Sequence, residues 1–146
     1  MSAYFDTSFL MPLIRREATS DKVAAFLRGL AAVPLLTSHW TRLEFCSAIA
    51  RDVRMKILDL PAARSAIGSF ETGVLPSFSL FPVNSDDCEL AVNYLQNFQT
   101  GLRAGDALHL AVAQNRNAQA IYSLDDKMIR AGRLLGLPVS RGIRLK

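Results

Sequence analysis

Five short apolar runs recur along the chain, and stretches of helical periodicity lie between them. The runs occupy 2–5, 33–37, 78–83, 120–124 and 138–140. Each is continuous rather than alternating, which suits strands covered on both faces of a sheet. The intervening helices are marked by caps and spacing. Thr7 or Ser8 opens a helix over 9–16. Ser20-Asp21 opens one over 22–30, with Val23, Phe26, Leu27 and Leu30 on one stripe. Further helices are expected over 39–54, over 62–72 after Pro61, and from Ser85-Asp86-Asp87 through Phe98. The connector Gly101 to Gly105 leads to a helix over 106–115, and Gly136 stops another over 126–135. Strands alternating with helices predict an α/β fold: a three-layer sandwich with a short, mostly parallel central sheet. A chain of 146 residues, half of them hydrophobic, suits one domain over 1–146 with a sizeable core. The helices within 39–72 form a candidate protruding hairpin and dimer surface.

Four acidic residues sit at the ends of these apolar elements. Asp6 ends Ala3-Tyr4-Phe5, and Glu44 lies in Trp40-Thr41-Arg42-Leu43-Glu44-Phe45. Asp106 opens Asp106-Ala107-Leu108-His109-Leu110, and Asp125 follows Ile121-Tyr122-Ser123-Leu124. The other nine of the 13 acids fall mostly in polar surroundings. An unpartnered carboxylate near a core is costly, and no basic residue is equally embedded in those segments, so a divalent metal is the expected partner. In a parallel sheet, ligands gather at the carboxyl ends of the strands. Asp6 and Asp125 follow strands, while Glu44 and Asp106 lie near helix N-termini on the same edge. Each acid also has a bland reading. Asp6 suits a turn; Thr41-x-x-Glu44 is a capping box; Asp106 caps its helix; Ser123-x-x-Asp126 is a capping box with Asp125 beside it. The conjunction of four favours a site.

Carboxylates without a histidine cluster suit Mg²⁺ or Mn²⁺ rather than zinc, since only His39 and His109 and the distant Cys46 and Cys88 are present. The two cysteines read as buried free thiols in a reducing cytoplasm. Nothing at the N-terminus resembles a signal peptide, and no apolar run approaches the about 20 residues of a membrane span. With the four embedded acids set aside, 17 basic residues face nine acidic ones, so a basic exterior suited to a polyanion is expected. Candidate phosphate contacts are Arg42, Arg51, Arg54 and Lys56, and Arg130, Arg133, Arg141, Arg144 and Lys146, each equally readable as a solvated helix face. Thr7, Ser8 and Ser123 are candidate supporting hydroxyls. His109 and Trp40 read as packed residues.

At these residues the chain resembles the PIN-domain family, specifically VapC-type toxin ribonucleases. The matching segments are Tyr4-Phe5-Asp6-Thr7-Ser8-Phe9-Leu10, Thr41 to Arg51, Leu102 to Ala111 and Ser123-Leu124-Asp125-Asp126-Lys127-Met128, followed by Ala131 and Leu135-Gly136-Leu137. The ordered set covers nearly the whole chain. The resemblance implies an endoribonuclease dependent on Mg²⁺ or Mn²⁺, with Asp6, Glu44 and Asp106 as the central metal-binding acids. The family's Thr/Ser-x-Asp pattern assigns the fourth position to Asp125 rather than Asp126. It also implies an RNA substrate cleaved by metal-activated water, a homodimer, and a cognate antitoxin able to push a basic side chain into the acidic pocket. Two other readings remain. An aspartyl phosphatase using Asp6 would need an acid at position 8, where Ser8 stands. A non-catalytic RNA-binding or scaffolding domain of the same family would dispense with one of the acids, yet all four positions are filled.

Overall fold

The computed structural model describes residues 1–145. Its sheet has five strands: β1 (Ala3–Phe5), β2 (Leu35–Ser38), β3 (Ser79–Phe81), β4 (Ala120–Tyr122) and β5 (Val139–Ser140). All pairings are parallel, in the order β3-β2-β1-β4-β5. The expected sandwich is present, and its sheet is wholly rather than mostly parallel. Because side chains alternate across a strand, β1 feeds two cores. Ala3 and Phe5 face Phe9, Phe45, Ile49 and Phe70. Tyr4 faces Leu110, Val112, Ile121 and Met128. The first layer comprises α1 (Thr7–Leu10), α2 (Ser20–Gly29), α3 (His39–Arg54) and α4 (Leu60–Ser69). The second comprises α5 (Ser85–Gln96), α6 (Ala104–Asn115) and α7 (Asp126–Leu134).

Several local expectations are corrected. The helix expected over 9–16 is α1 followed by a 3-10 turn at Met11–Leu13, because Pro12 lacks the N–H an α-helix needs. Its N-cap is Asp6, which accepts from Phe9 N, rather than Thr7 or Ser8. Helix α4 is capped by Asp59 and passes into a wide π turn at Phe70–Val74, where Phe70 stacks on Phe45 at 3.9 Å. Asn84 caps α5 in a capping box with Asp87. Asp87 is not solvated as expected: it is buried, and Asn115 and Arg116 donate to it at 2.8 and 2.9 Å. Asp52 is likewise buried, against Arg15 at 3.1 Å. Cys46 and Cys88 are exposed, not buried, because α3 and α5 turn them away from the cores. Trp40 is half-buried rather than core. Lys146 lies outside the described residues.

Helix α7 lies directly on β5. A Cβ at Gly132 would sit 3.1 Å from Val139 Cβ and closer still to its Cγ2, so no side chain fits there. Gly132→Ala is expected to destabilise the fold by about 1–3 kcal/mol through overpacking. Urea unfolding checks this; an unchanged midpoint would mean that α7 slides freely on β5. Gly136, at φ +77°, ends α7 in the left-handed conformation that glycine accepts without strain.

Candidate active site

The strand order reverses between β1 and β4: the chain builds outward from β1 to β3, then returns to β4 on the other side. Such a switch point opens a crevice at the carboxyl ends of the strands. A cavity of about 250 Å³ lies there, lined by Asp6, Thr7, Ser8, Glu44, Ala48, Asp106, His109 and Asp125. Four acids separated by up to 119 positions thus face one space, while Asp126 is exposed and pairs with Arg141 outside it.

Each acid is held differently. Asp6 follows β1 and is buried. Its Oδ1 accepts from Ser8 Oγ at 2.8 Å and Phe9 N at 3.0 Å, and its Oδ2 accepts from Ser123 Oγ at 2.6 Å. The Ser8 and Ser123 hydroxyl oxygens lie 3.1 Å apart around the same carboxylate, which ties the ends of β1 and β4 together. Glu44 lies in the second turn of α3. The helix is capped by Ser38 through Thr41 N, which leaves Glu44 free of the expected capping box. Instead, Glu44 Oε1 accepts from Thr7 Oγ1 at 2.6 Å and lies 2.5 Å from His109 Nε2. Asp106 is in the first turn of α6, where Arg103 rather than Asp106 is the N-cap position. Asp125 caps α7, its Oδ1 accepting from Lys127 N at 2.9 Å and from Met128 N.

His109 is the residue whose part the sequence concealed. One turn after Asp106 on α6, it faces the same side. Its Nδ1 lies 2.9 Å from Tyr4 Oη, which in turn meets Ser38 Oγ at 2.8 Å. Burial would lower its pKa, but the Tyr4 oxygen and the carboxylates of Glu44 and Asp6 outweigh this and hold it up at about 10. The short contact to the Glu44 carboxylate favours the protonated ring, with Nε2–H donating to Glu44. The two-histidine count argued against zinc, yet only the α6 spacing from Asp106 to His109 hinted that this ring joins the acids.

The charges remain unbalanced. Burial pushes the Glu44 carboxyl up, but the His109 and Thr7 hydrogen bonds and the imidazolium charge more than offset it, leaving it below its ordinary range. Burial raises Asp6 despite His109, Ser123 and Ser8. Asp106 is pushed up to about 6, first by burial, then by the charge of Asp125, with Asp6 and Glu44 adding and His109 opposing. One imidazolium thus faces four carboxyl groups. Among the described residues, Asp106 accepts no hydrogen bond, and Glu44 Oε2 and Asp125 Oδ2 likewise have no partner. Helix α6 approaches α3 closely here, since a Cβ at Gly105 would lie 3.2 Å from Glu44 Oε2 and 3.3 Å from the Trp40 ring.

Among the described residues, no three Asp, Glu, His or Cys side chains are placed to hold a metal ion together. Mg²⁺ is commonly held by only one or two carboxylates, with several waters retained. The free oxygens of Asp106, Glu44 and Asp125 and the excess negative charge fit such an ion.

Residues 3–134 match the family described as PIN domain. The chain is 31% identical over 140 residues to "Ribonuclease VapC35" of Mycobacterium tuberculosis, covering 93% of each. Among solved structures it is similar to FitAcB from Neisseria gonorrhoeae, at a TM-score of 0.74 and 17% identity, covering 96% of this chain and 97% of that one. It is also similar to VapC20 of Mycobacterium tuberculosis, described as a sarcin–ricin loop cleaving toxin. That match has a TM-score of 0.67 and 22% identity, covering 90% and 95%. At these identities the two structures speak for the fold alone.

Proposed function

Because the chain belongs to the PIN-domain family, we propose that it is a VapC-type toxin: an endoribonuclease that uses Mg²⁺ or Mn²⁺ and is restrained by a cognate antitoxin. The observation that carries this reading is the cavity where Asp6, Glu44, Asp106 and Asp125 outnumber the single imidazolium of His109. The four acids would hold the ion, one or two directly and the others through its waters, and the ion would supply a Lewis acid and a water of lowered pKa for hydrolysis of an RNA phosphodiester. Asp6 is the rigid rear wall, since both its oxygens are fixed by Ser8, Phe9 N and Ser123. His109 and Thr7 orient Glu44 through its Oε1 and leave its Oε2 without a partner among the described residues. Asp106 and Asp125 supply the remaining unpaired oxygens. Without a cation, the Asp106 carboxyl holds a proton below about pH 6 and releases it above.

The test is cleavage of a labelled RNA by the purified protein with Mg²⁺, with EDTA, and after Asp6→Asn. Cleavage is expected only in the first case. Cleavage undiminished in EDTA or in Asp6→Asn would sink the reading, and RNA binding without cleavage would favour the scaffold alternative. Because the carboxyls must be ionised to bind metal, Mn²⁺ affinity measured by calorimetry should weaken as pH falls through about 6. A homodimer belongs to the same proposal. The exposed Leu43, Met55, Ile57 and Leu60 on and between α3 and α4 support it, and sedimentation velocity checks it. No helix among the described residues is long and apolar enough to cross a membrane.

A further inference from the structure

Beside the carboxylate cavity lies a second concavity, of about 460 Å³, lined by Asp126, Ile129, Arg130, Arg133, Leu134 and Arg141. Three guanidinium groups share it with one carboxylate. Arg141 follows β5 directly, at the same sheet edge as Asp6 and Ser123, because β5 pairs parallel to β4 with Tyr122 opposite Ser140. Its guanidinium donates to Leu124 O at 3.4 Å and pairs with Asp126, so it is fastened to the loop that carries Asp125. Arg133 donates its Nε to Val139 O at 3.1 Å, which orients the group, and its outer nitrogens have no partner among the described residues. Arg130 is exposed, lies one turn before Arg133 on the same face of α7, and has no partner among the described residues. Ile129 and the exposed Leu134 give the cleft an apolar border.

A solvated helix face would be convex, with its arginines extended and mobile. Here they line a hollow, two are held in place by backbone carbonyls, and the hollow is tied to the carboxylate cavity through the Leu124–Asp126 loop, where Asp125 lines one and Asp126 the other. Arginine forks match phosphate oxygens, and fixing them beforehand lowers the entropy lost on binding. We propose that the Arg130–Arg133–Arg141 cleft is a phosphate subsite that holds the single-stranded RNA backbone next to the scissile position, on the β5 side. This rests on the ribonuclease reading and extends it.

The probe is a fluorescent single-stranded oligouridylate, titrated in EDTA so that cleavage does not intervene, over a range of salt concentrations. Arg130→Ala is expected to weaken binding about tenfold. It should also lower the slope of log affinity against log salt by about 0.7, the value for one phosphate contact on a single strand. Arg141→Gln should do the same, whereas Arg141→Lys should recover the slope but not all of the affinity. With Mg²⁺, Arg130→Ala should raise KM while kcat at saturating RNA stays unchanged. An unaltered slope and KM in Arg130→Ala and Arg141→Gln, with wild type still binding and cleaving RNA, would overturn the subsite and leave the ribonuclease reading standing. A wild type that neither binds nor cleaves RNA overturns both. If the substitutions spare RNA but weaken association with a purified antitoxin, the cleft is a protein contact and the proposal falls.

Discussion

Asp106→Asn is expected to slow RNA cleavage by about 10³-fold and, in the same protein stripped of metal, to increase stability. The loss follows from removing an unpaired carboxylate from an ion that contributes several kcal/mol of charge stabilisation, at 1.36 kcal/mol per tenfold. The gain follows from the carboxyl's raised pKa, about 6 against an ordinary 3.8. A carboxyl raised on folding binds its proton more tightly in the native state than in the unfolded chain. Its ionised form therefore destabilises the fold. That penalty is absent below pH 3.8, grows between 3.8 and about 6, and is complete above. Asn carries no such penalty. Because Asp106 is partly exposed and screened, the gain above pH 6 is set at about 1 kcal/mol. Urea unfolding in EDTA at pH 4 and pH 8 reads it directly: the variant should match wild type at the lower pH and exceed it at the higher. A variant less stable at both would mean that the four acids do not repel one another, and the case for a missing cation would go with them.

Substitution of His109 should have the largest effect on stability. His109→Leu removes the imidazolium that neutralises Glu44 and leaves Tyr4 Oη with one partner fewer, for an expected cost of about 3–5 kcal/mol at neutral pH. The sign with pH is opposite to that of Asp106. The imidazolium pKa rises from 6.5 to about 10 on folding. Its contribution is therefore complete below pH 6.5 and is lost as pH rises through about 10. Wild-type stability should fall across that window, while His109→Leu should stay flat across it. His109→Gln, which keeps a donor for Glu44 without the charge, should fall between the two at pH 7. Chemical unfolding with urea in EDTA at pH 6, 8 and 10 distinguishes them, since urea leaves the ion pair unscreened. Parallel wild-type and His109→Leu profiles would show that the ring is neutral in the fold. Activity should drop with either change because Glu44 is no longer oriented.

Much of the architecture was legible because it rests on local periodicity. The runs Ala3-Tyr4-Phe5 and Ala120-Ile121-Tyr122 are continuous and apolar, and both are central strands buried on two faces. The α3 bounds at His39 and Arg54 follow the sequence spacing. Caps were less legible, because Asp, Asn, Ser and Thr compete at neighbouring positions: Asp6 rather than Thr7 or Ser8 caps α1, and Asn84 rather than Ser85 caps α5. Exposure of Cys46 and Cys88 escaped pattern reading, since a helix carries apolar residues on more than one face. The bulk charge suggested a polyanionic partner without locating it. The hollow formed by Arg130, Arg133 and Arg141 exists only because β5 returns its end to the loop after β4.

The acids are less embedded than their apolar flanks suggest. Asp6 is buried, but Glu44, Asp106 and Asp125 border a cavity and are partly open to it. A cation does face them, and it is the chain's own His109. One imidazolium against four carboxyls still leaves a deficit of positive charge that suits a metal ion.

The sequence by itself determined the alternation of strands and helices, hence the layered parallel sheet, and the chemical type of its acidic residues. Periodicity, turn residues and side-chain chemistry are local properties, written over a few residues at a time. Tertiary structure alone decided that Ser123 reaches Asp6 across 117 positions and that His109 reaches Glu44 across 65. It also decided that Asp125 faces the cavity while its neighbour Asp126 turns to Arg141. Those contacts depend on strand order, register and the rotation of α6 and α7 about their axes, and no short stretch of chain encodes them.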